Sequence, residues 1–160
     1  MKEVKIEAKF QVFDDVGELP DSIQNLMALA IEARDKAYAP YSKFKVGAAI
    51  LLENNEIVTG SNQENASYPS GLCAERTAIY YAGAQYPNTK MLVMALTAGS
   101  IDHETNSPIP PCGACRQVIS EYEIKQESPI EIYFMGVTGK VIKSDSLANL
   151  LPLAFDRSFL

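Results

Sequence analysis

All three cysteines of this 160-residue chain lie in two short stretches, Cys73-Ala74-Glu75-Arg76 and Pro111-Cys112-Gly113-Ala114-Cys115-Arg116. If the three sulfurs hold one ion, any fold open to the chain must bring these stretches to a single point. Zinc suits the set. Three thiolates grip the ion and leave a fourth position for water, and a carboxylate two residues from the first thiolate, Glu75, can move that water's protons.

The surrounding residues place both stretches at helix starts. Ala78, Ile79 and Ala82 sustain a helix beginning near Cys73, with Gly83 as its expected stop. Pro111 marks a second start at Cys112, continued by Val118, Ile119 and Tyr122. A spacing of three puts Cys112 and Cys115 on one helix face. Two helix N-termini then aim partial positive charge at the sulfurs, which lowers their pKa and favours metal ligation. Three thiolates leave a Zn²⁺ centre formally at -1, a weaker Lewis acid than a centre with neutral histidine ligands. Arg76 or Arg116 can offset that charge, and Arg76, one turn on from Cys73, is the better placed to hydrogen-bond the sulfurs.

The rest of the chain alternates strands with helices. Val4, Ile6, Ala8, Phe10 and Val12 have the period of a half-buried strand, so residues 1–13 are expected to add an N-terminal strand or to pack on a partner. Asp21 to Ala37 reads as an amphipathic helix closed by Pro40. Phe44 to Leu52 and Ile57 to Asn62 read as a hairpin around Glu53-Asn54-Asn55-Glu56. Met91 to Thr97 is expected as a buried central strand, Ile130 to Met135 and Lys140 to Ile142 as further strands, and Leu147 to Leu151 as a short helical segment. With no repeat or linker, residues 1–160 are expected to form one layered α/β domain, helices covering a central sheet.

Composition excludes some functions. A net charge of -6 argues against nucleic acid as a partner, because phosphate binding needs clustered Lys and Arg. No run approaches the roughly 20 apolar residues that span a bilayer, so a membrane partner is not expected. Three cysteines, an odd number, fit metal or redox work in a reducing compartment better than a disulfide framework, which points to the cytoplasm.

The segment Asn62-Gln63-Glu64-Asn65-Ala66-Ser67-Tyr68-Pro69-Ser70-Gly71-Leu72-Cys73-Ala74-Glu75-Arg76-Thr77-Ala78, followed by Pro111-Cys112-Gly113-Ala114-Cys115-Arg116-Gln117, resembles the small homotetrameric, all-cysteine cytidine deaminases. The likeness runs from Ala39-Pro40-Tyr41-Ser42 to Leu151-Pro152-Leu153-Ala154-Phe155. It implies a single three-layer α/β domain with a central mixed sheet, one Zn²⁺ per chain on Cys73, Cys112 and Cys115, and Glu75 as the proton shuttle. It also implies that Asn62 and Glu64 hydrogen-bond the ribose, that Phe44 packs near base and sugar, and that the backbone of Ala74 reads the pyrimidine edge. Ala66, Tyr68 and Phe155 match positions that reach a neighbour's pocket in a homotetramer. The implied substrates are the nucleosides cytidine and 2′-deoxycytidine, the reaction their hydrolytic deamination in pyrimidine salvage.

Other readings stand beside this one. Cys73 and His103 could complete a closed four-ligand structural zinc site with Cys112 and Cys115, which leaves Glu75 without a task. A thioredoxin-like pair would leave Cys73 idle. The same apparatus could also act on another aminopyrimidine nucleoside. By residue type alone, Asn62 and Glu64 are ordinary strand-end polar groups, and Phe44 and Phe155 ordinary packing aromatics.

Overall fold

The computed structural model describes residues 1–160. Six strands form one mixed sheet: β1 (Gln11–Phe13), β2 (Phe44–Leu52), β3 (Ile57–Ser61), β4 (Met91–Ser100), β5 (Glu131–Met135) and β6 (Val141–Ser144), in the order β1-β6-β5-β4-β2-β3. β4 and β5 run parallel and the other neighbours antiparallel. The long apolar run 91–100 takes the central position expected of a strand buried on both faces.

Period-two alternation sorts side chains between two cores. Ala49, Val93, Ala95, Tyr133 and Met135 meet Ile23, Leu26, Met27 and Ala30 of helix α1 (Asp21–Asp35) on one face. Ala48, Ile50, Leu52, Met94, Leu96, Ile132 and Phe134 point the other way. There they meet Ala78, Ile79 and Ala82 of α2 (Ala74–Gln85) and Ile119 of α3 (Gly113–Gln126). The result is helix, sheet, helix, in three layers. No helix is long and apolar enough to cross a membrane.

Two glycines set how closely α2 packs. A Cβ on Gly60 of β3 would lie 2.6 Å from the Ala74 carbonyl oxygen and the Ala78 amide nitrogen, so only glycine lets the start of α2 rest on that strand. Gly83 does not end α2, contrary to the sequence expectation; the helix runs on to Gln85. The Tyr122 ring of α3 lies against it, and a Cβ there would collide with the Tyr122 hydroxyl. The glycine is a packing notch.

The N-terminal strand is shorter than its alternation suggests. Only Gln11–Phe13 pairs, with Val141–Lys143, and residues 1–10 carry no ladder. No second strand lies beside them, and apolar alternation without a partner does not make a sheet. In the tail, the helical segment expected at Leu147 to Leu151 is a 3-10 turn at Leu147–Asn149, and a second 3-10 turn follows at Arg157–Phe159.

Candidate active site

The two cysteine stretches converge. Cys73 is the N-cap of α2 and Cys112 the N-cap of α3, while Cys115 lies in the first turn of α3 and is fully buried. The helices start side by side on one sheet face, which brings together sulfurs 39 residues apart. Cys73 Sγ is 3.9 Å from Cys112 Sγ, Cys112 Sγ is 3.5 Å from Cys115 Sγ, and all three sulfurs lie within 4.8 Å of one another. Tetrahedral zinc with bonds of about 2.3 Å requires sulfurs roughly 3.8 Å apart, so the residues fit the ion. His103 lies exposed in the loop before α3 and is not part of the cluster.

Electrostatics support the same fit. The Cys73 thiol is drawn down to about 5 by its hydrogen bond with Cys115 and by Arg76. Cys115 is pushed up by the same hydrogen bond, by burial and by the Glu75 charge. Three sulfurs this close cannot all ionise unaided, and a divalent cation is what lets them do so. Arg76 Nη2 donates to Cys73 Sγ at 3.6 Å, and Arg76 Nε is buried with no oxygen or nitrogen acceptor. Its positive charge is therefore turned on sulfur. Arg116 is employed elsewhere: Nε donates to the Pro111 carbonyl and Nη1 to the Leu150 carbonyl, both at 2.8 Å, clasping the second cysteine stretch to the tail.

Glu75 sits in the first turn of α2, only 5% exposed, on the wall of a cleft of about 540 Å³ that also holds Cys73, Cys112 and Arg76. Burial and then the Cys73 charge push its carboxyl up, despite hydrogen bonds that favour the charged form. A buried carboxyl at the N-terminus of a helix, beside a sulfur cluster that fits a metal ion, is fitted to take and give protons.

Phe44, Asn62, Glu64 and Tyr68 line the same cleft. Asn62 Oδ1 accepts from the Val46 amide at 2.8 Å and its Nδ2 donates to the Phe44 carbonyl at 3.0 Å, stitching the start of β2 to the residue after β3. Glu64 is gripped by the turn before β2. One oxygen accepts from the Tyr41 and Ser42 amides at 3.0 and 3.2 Å and the other from the Ser42 hydroxyl, which holds the carboxyl below the usual carboxylate range. Ala74 is fully buried and lines nothing, although its amide, at the first position of α2, has no intrahelical acceptor. Ala66 and Phe155 stay outside the cleft. Ala66 is exposed, and Phe155, 59% exposed, stacks on Phe159 with ring centres 5.7 Å apart. Tyr68, 75% exposed, tilts on Tyr41 at 5.9 Å.

Sequence reasoning did not single out the turn residue Ser42 or the wall residues Leu72, Ile109 and Pro110. The Ser42-to-Glu64 bond crosses 22 residues and leaves no local pattern. Ile109 and Pro110 could have been suspected from standing just before Pro111-Cys112.

Cysteine ligands, an acid-base carboxyl and an open cleft are together the layout of a zinc-dependent hydrolase. Residues 20–128 match the family model described as "Cytidine and deoxycytidylate deaminase zinc-binding region", and the chain belongs to that family. A cytidine deaminase of Halalkalibacterium halodurans is 41% identical over 132 residues, 82% of this chain and 92% of that protein. One of Mycobacterium tuberculosis is 40% identical over 141 residues, 86% and 92% of the two chains. The crystal structure of a cytidine deaminase from Burkholderia pseudomallei superposes with a TM-score of 0.71 at 41% identity, covering 82% of this chain and 97% of that one.

Proposed function

We propose that this protein is a zinc-dependent cytidine deaminase that hydrolyses cytidine and 2′-deoxycytidine to uridine and 2′-deoxyuridine, releasing ammonia. The observation that carries this reading is the buried Glu75 carboxyl on the wall of a cleft that Cys73 and Cys112 also line, with Cys115 buried behind them in the same sulfur cluster. Zinc on Cys73, Cys112 and Cys115 supplies Lewis-acid activation of water at neutral pH. Glu75 takes a proton from the attacking water and passes it to N3 of the pyrimidine ring, which makes C4 electrophilic. It then takes the second proton from the hydroxyl added at C4 and delivers it to the amine, which leaves as ammonia when the C4–N bond breaks and the C4 carbonyl forms. Arg76 and the starts of α2 and α3 stabilise the sulfur charge so that the ligands stay ionised.

Substrate orientation falls to the cleft wall. Phe44 packs on base and sugar, and the unused hydrogen-bonding capacity of Asn62 and Glu64 faces the ribose hydroxyls; the Ala74 amide, left free at the first position of α2 beside Cys73, reads the ring edge. Ala66, Tyr68 and Phe155 complete a neighbouring copy's pocket in a homotetramer, a reading supported by the exposure of all three in one chain. Cytoplasmic pyrimidine salvage accords with ligand cysteines that must remain reduced. We assign the whole of residues 1–160 to a single domain, supported by the one continuous sheet.

The test is Glu75→Gln. The fall in cytidine absorbance should slow by about 10²- to 10⁴-fold while the zinc content stays at one ion per chain. Full activity in that variant removes the mechanism.

A further inference from the structure

Residues 1–10 lie before the family-matched region and have no task in the site. The segment forms no helix or ladder within the chain, and its sequence alternates apolar and polar residues with the period of a strand. Val4, Ile6, Phe10 and Val12 are 77%, 53%, 43% and 58% exposed, an apolar row with nothing on it. The odd positions carry Glu3, Lys5, Glu7 and Lys9, and Lys5 Nζ lies 2.6 Å from Glu7 Oε1, as same-side neighbours on an extended strand do. Lys9 N–H donates to Asn149 Oδ1 at 3.2 Å, which ties the segment, just ahead of the edge strand β1, to the 3-10 turn at Leu147–Asn149.

The charge order is self-complementary. When two copies run antiparallel with Ile6 opposite Ile6, Glu3 faces Lys9 and Lys5 faces Glu7, each twice by symmetry. Val4 faces Ala8 on the apolar side, and at the end of the pair the Lys2 stem faces Phe10. Sliding one copy by two residues either way sets Glu7 against Glu7 or Lys5 against Lys5, a slide by four keeps only Glu7 with Lys9 or Glu3 with Lys5, half of the opposite pairs, and a slide by one puts charged beside apolar side chains. Parallel pairing in register sets every charge against its like. Opposite charges directly across a ladder stabilise it and like charges oppose it.

We propose that the N-terminal segments of two copies of this chain pair as antiparallel strands about a two-fold axis at Ile6, extending the sheet from β1 across the subunit boundary. This sets the apolar row of each copy beside that of the other and satisfies the backbone groups of residues 2–10, which an exposed edge leaves open. The occupant is a second copy, because the charge pattern that selects the register belongs to the segment itself.

The test is crosslinking of the full-length zinc-loaded protein. Opposed residues in an antiparallel pair have Cα atoms about 4.5–5.5 Å apart, within disulfide reach. Under mild oxidation Ile6→Cys should join two chains, and Val4→Cys, four residues out of register with its symmetry mate, should not. Adding Lys5→Glu to Ile6→Cys sets a carboxylate against Glu7 at both symmetry-related positions and should cut the yield about 10-fold or more. Adding Glu7→Lys to that pair should restore it. Adding Glu56→Lys instead, on the exposed β2–β3 turn, restores net charge alone and should not rescue. The proposal is overturned if Ile6→Cys crosslinks no better than Val4→Cys, as it would were the segment seated on its own domain or on a foreign protein. Equal rescue by Glu56→Lys overturns it as well.

Discussion

The floor and the rim of the cleft are built on opposite terms. The floor is finished within one chain: Cys115 is fully buried, Glu75 nearly so, and two helix starts, Arg76 and the Gly60 notch fix their places. Around the rim, Tyr68 and, outside the cleft, Phe155 are mostly exposed, and their rings meet other exposed aromatics, Tyr41 and Phe159. Reactive groups need fixed positions and low dielectric, which secondary structure supplies locally. A rim left open in the single chain is available to be closed by another.

The sharpest way to break this contrast is to damage the floor. Cys115→Ala removes the fully buried sulfur of the cluster, leaving Cys73 and Cys112, the more exposed pair. Zinc content should fall from one ion per chain to near zero, and deamination should disappear with it, since two sulfurs cannot complete the site. Retention of stoichiometric zinc and activity would show that the buried sulfur is not a ligand.

Asn62→Ala tests the boundary between floor and rim. Asn62 lines the cleft, yet its side chain already serves Val46 N–H and Phe44 C=O. Removing it leaves two backbone groups of β2 unpaired at a residue only 8% exposed, and stability should drop by about 2 kcal/mol. Denaturant unfolding measures this without reference to substrate. A loss of activity with unchanged stability would assign Asn62 to the sugar alone.

That double service explains what the sequence could and could not disclose. The cysteine stretches were legible because metal chemistry demands particular residue types at short spacings, and because helix starts announce themselves through Pro111 and the apolar rows after Cys73 and Cys112. The central strand was legible as the short apolar run Met91 to Thr97, which the structure extends to Ser100. Gly83 was misleading, since a glycine that admits Tyr122 looks in sequence like one that ends a helix. The grip of Ser42 on Glu64 and of Arg116 on Leu150 joins residues 22 and 34 positions apart, and no local pattern encodes such partners. The alternation of residues 4–12 was real, but a strand needs a neighbour, and one chain supplies it only at 11–13.

The rim answers to a gentler substitution. Phe155→Ala removes a ring whose contact in the single chain is the Phe159 stack, at 59% exposure. The Phe155 carbonyl still accepts from Gln117 Nε2 at 2.8 Å, so the tail's backbone tether survives the change. The stability of the isolated fold should shift by no more than about 0.5 kcal/mol, as for other surface positions. Sedimentation and the KM for cytidine should move instead, with weaker association and a raised KM at low protein concentration, because a ring that does little for its own chain matters where it meets another. An unfolding midpoint that falls sharply while association and KM stay fixed would place Phe155 among the residues that finish their own chain, and the contrast between floor and rim would then end at Tyr68.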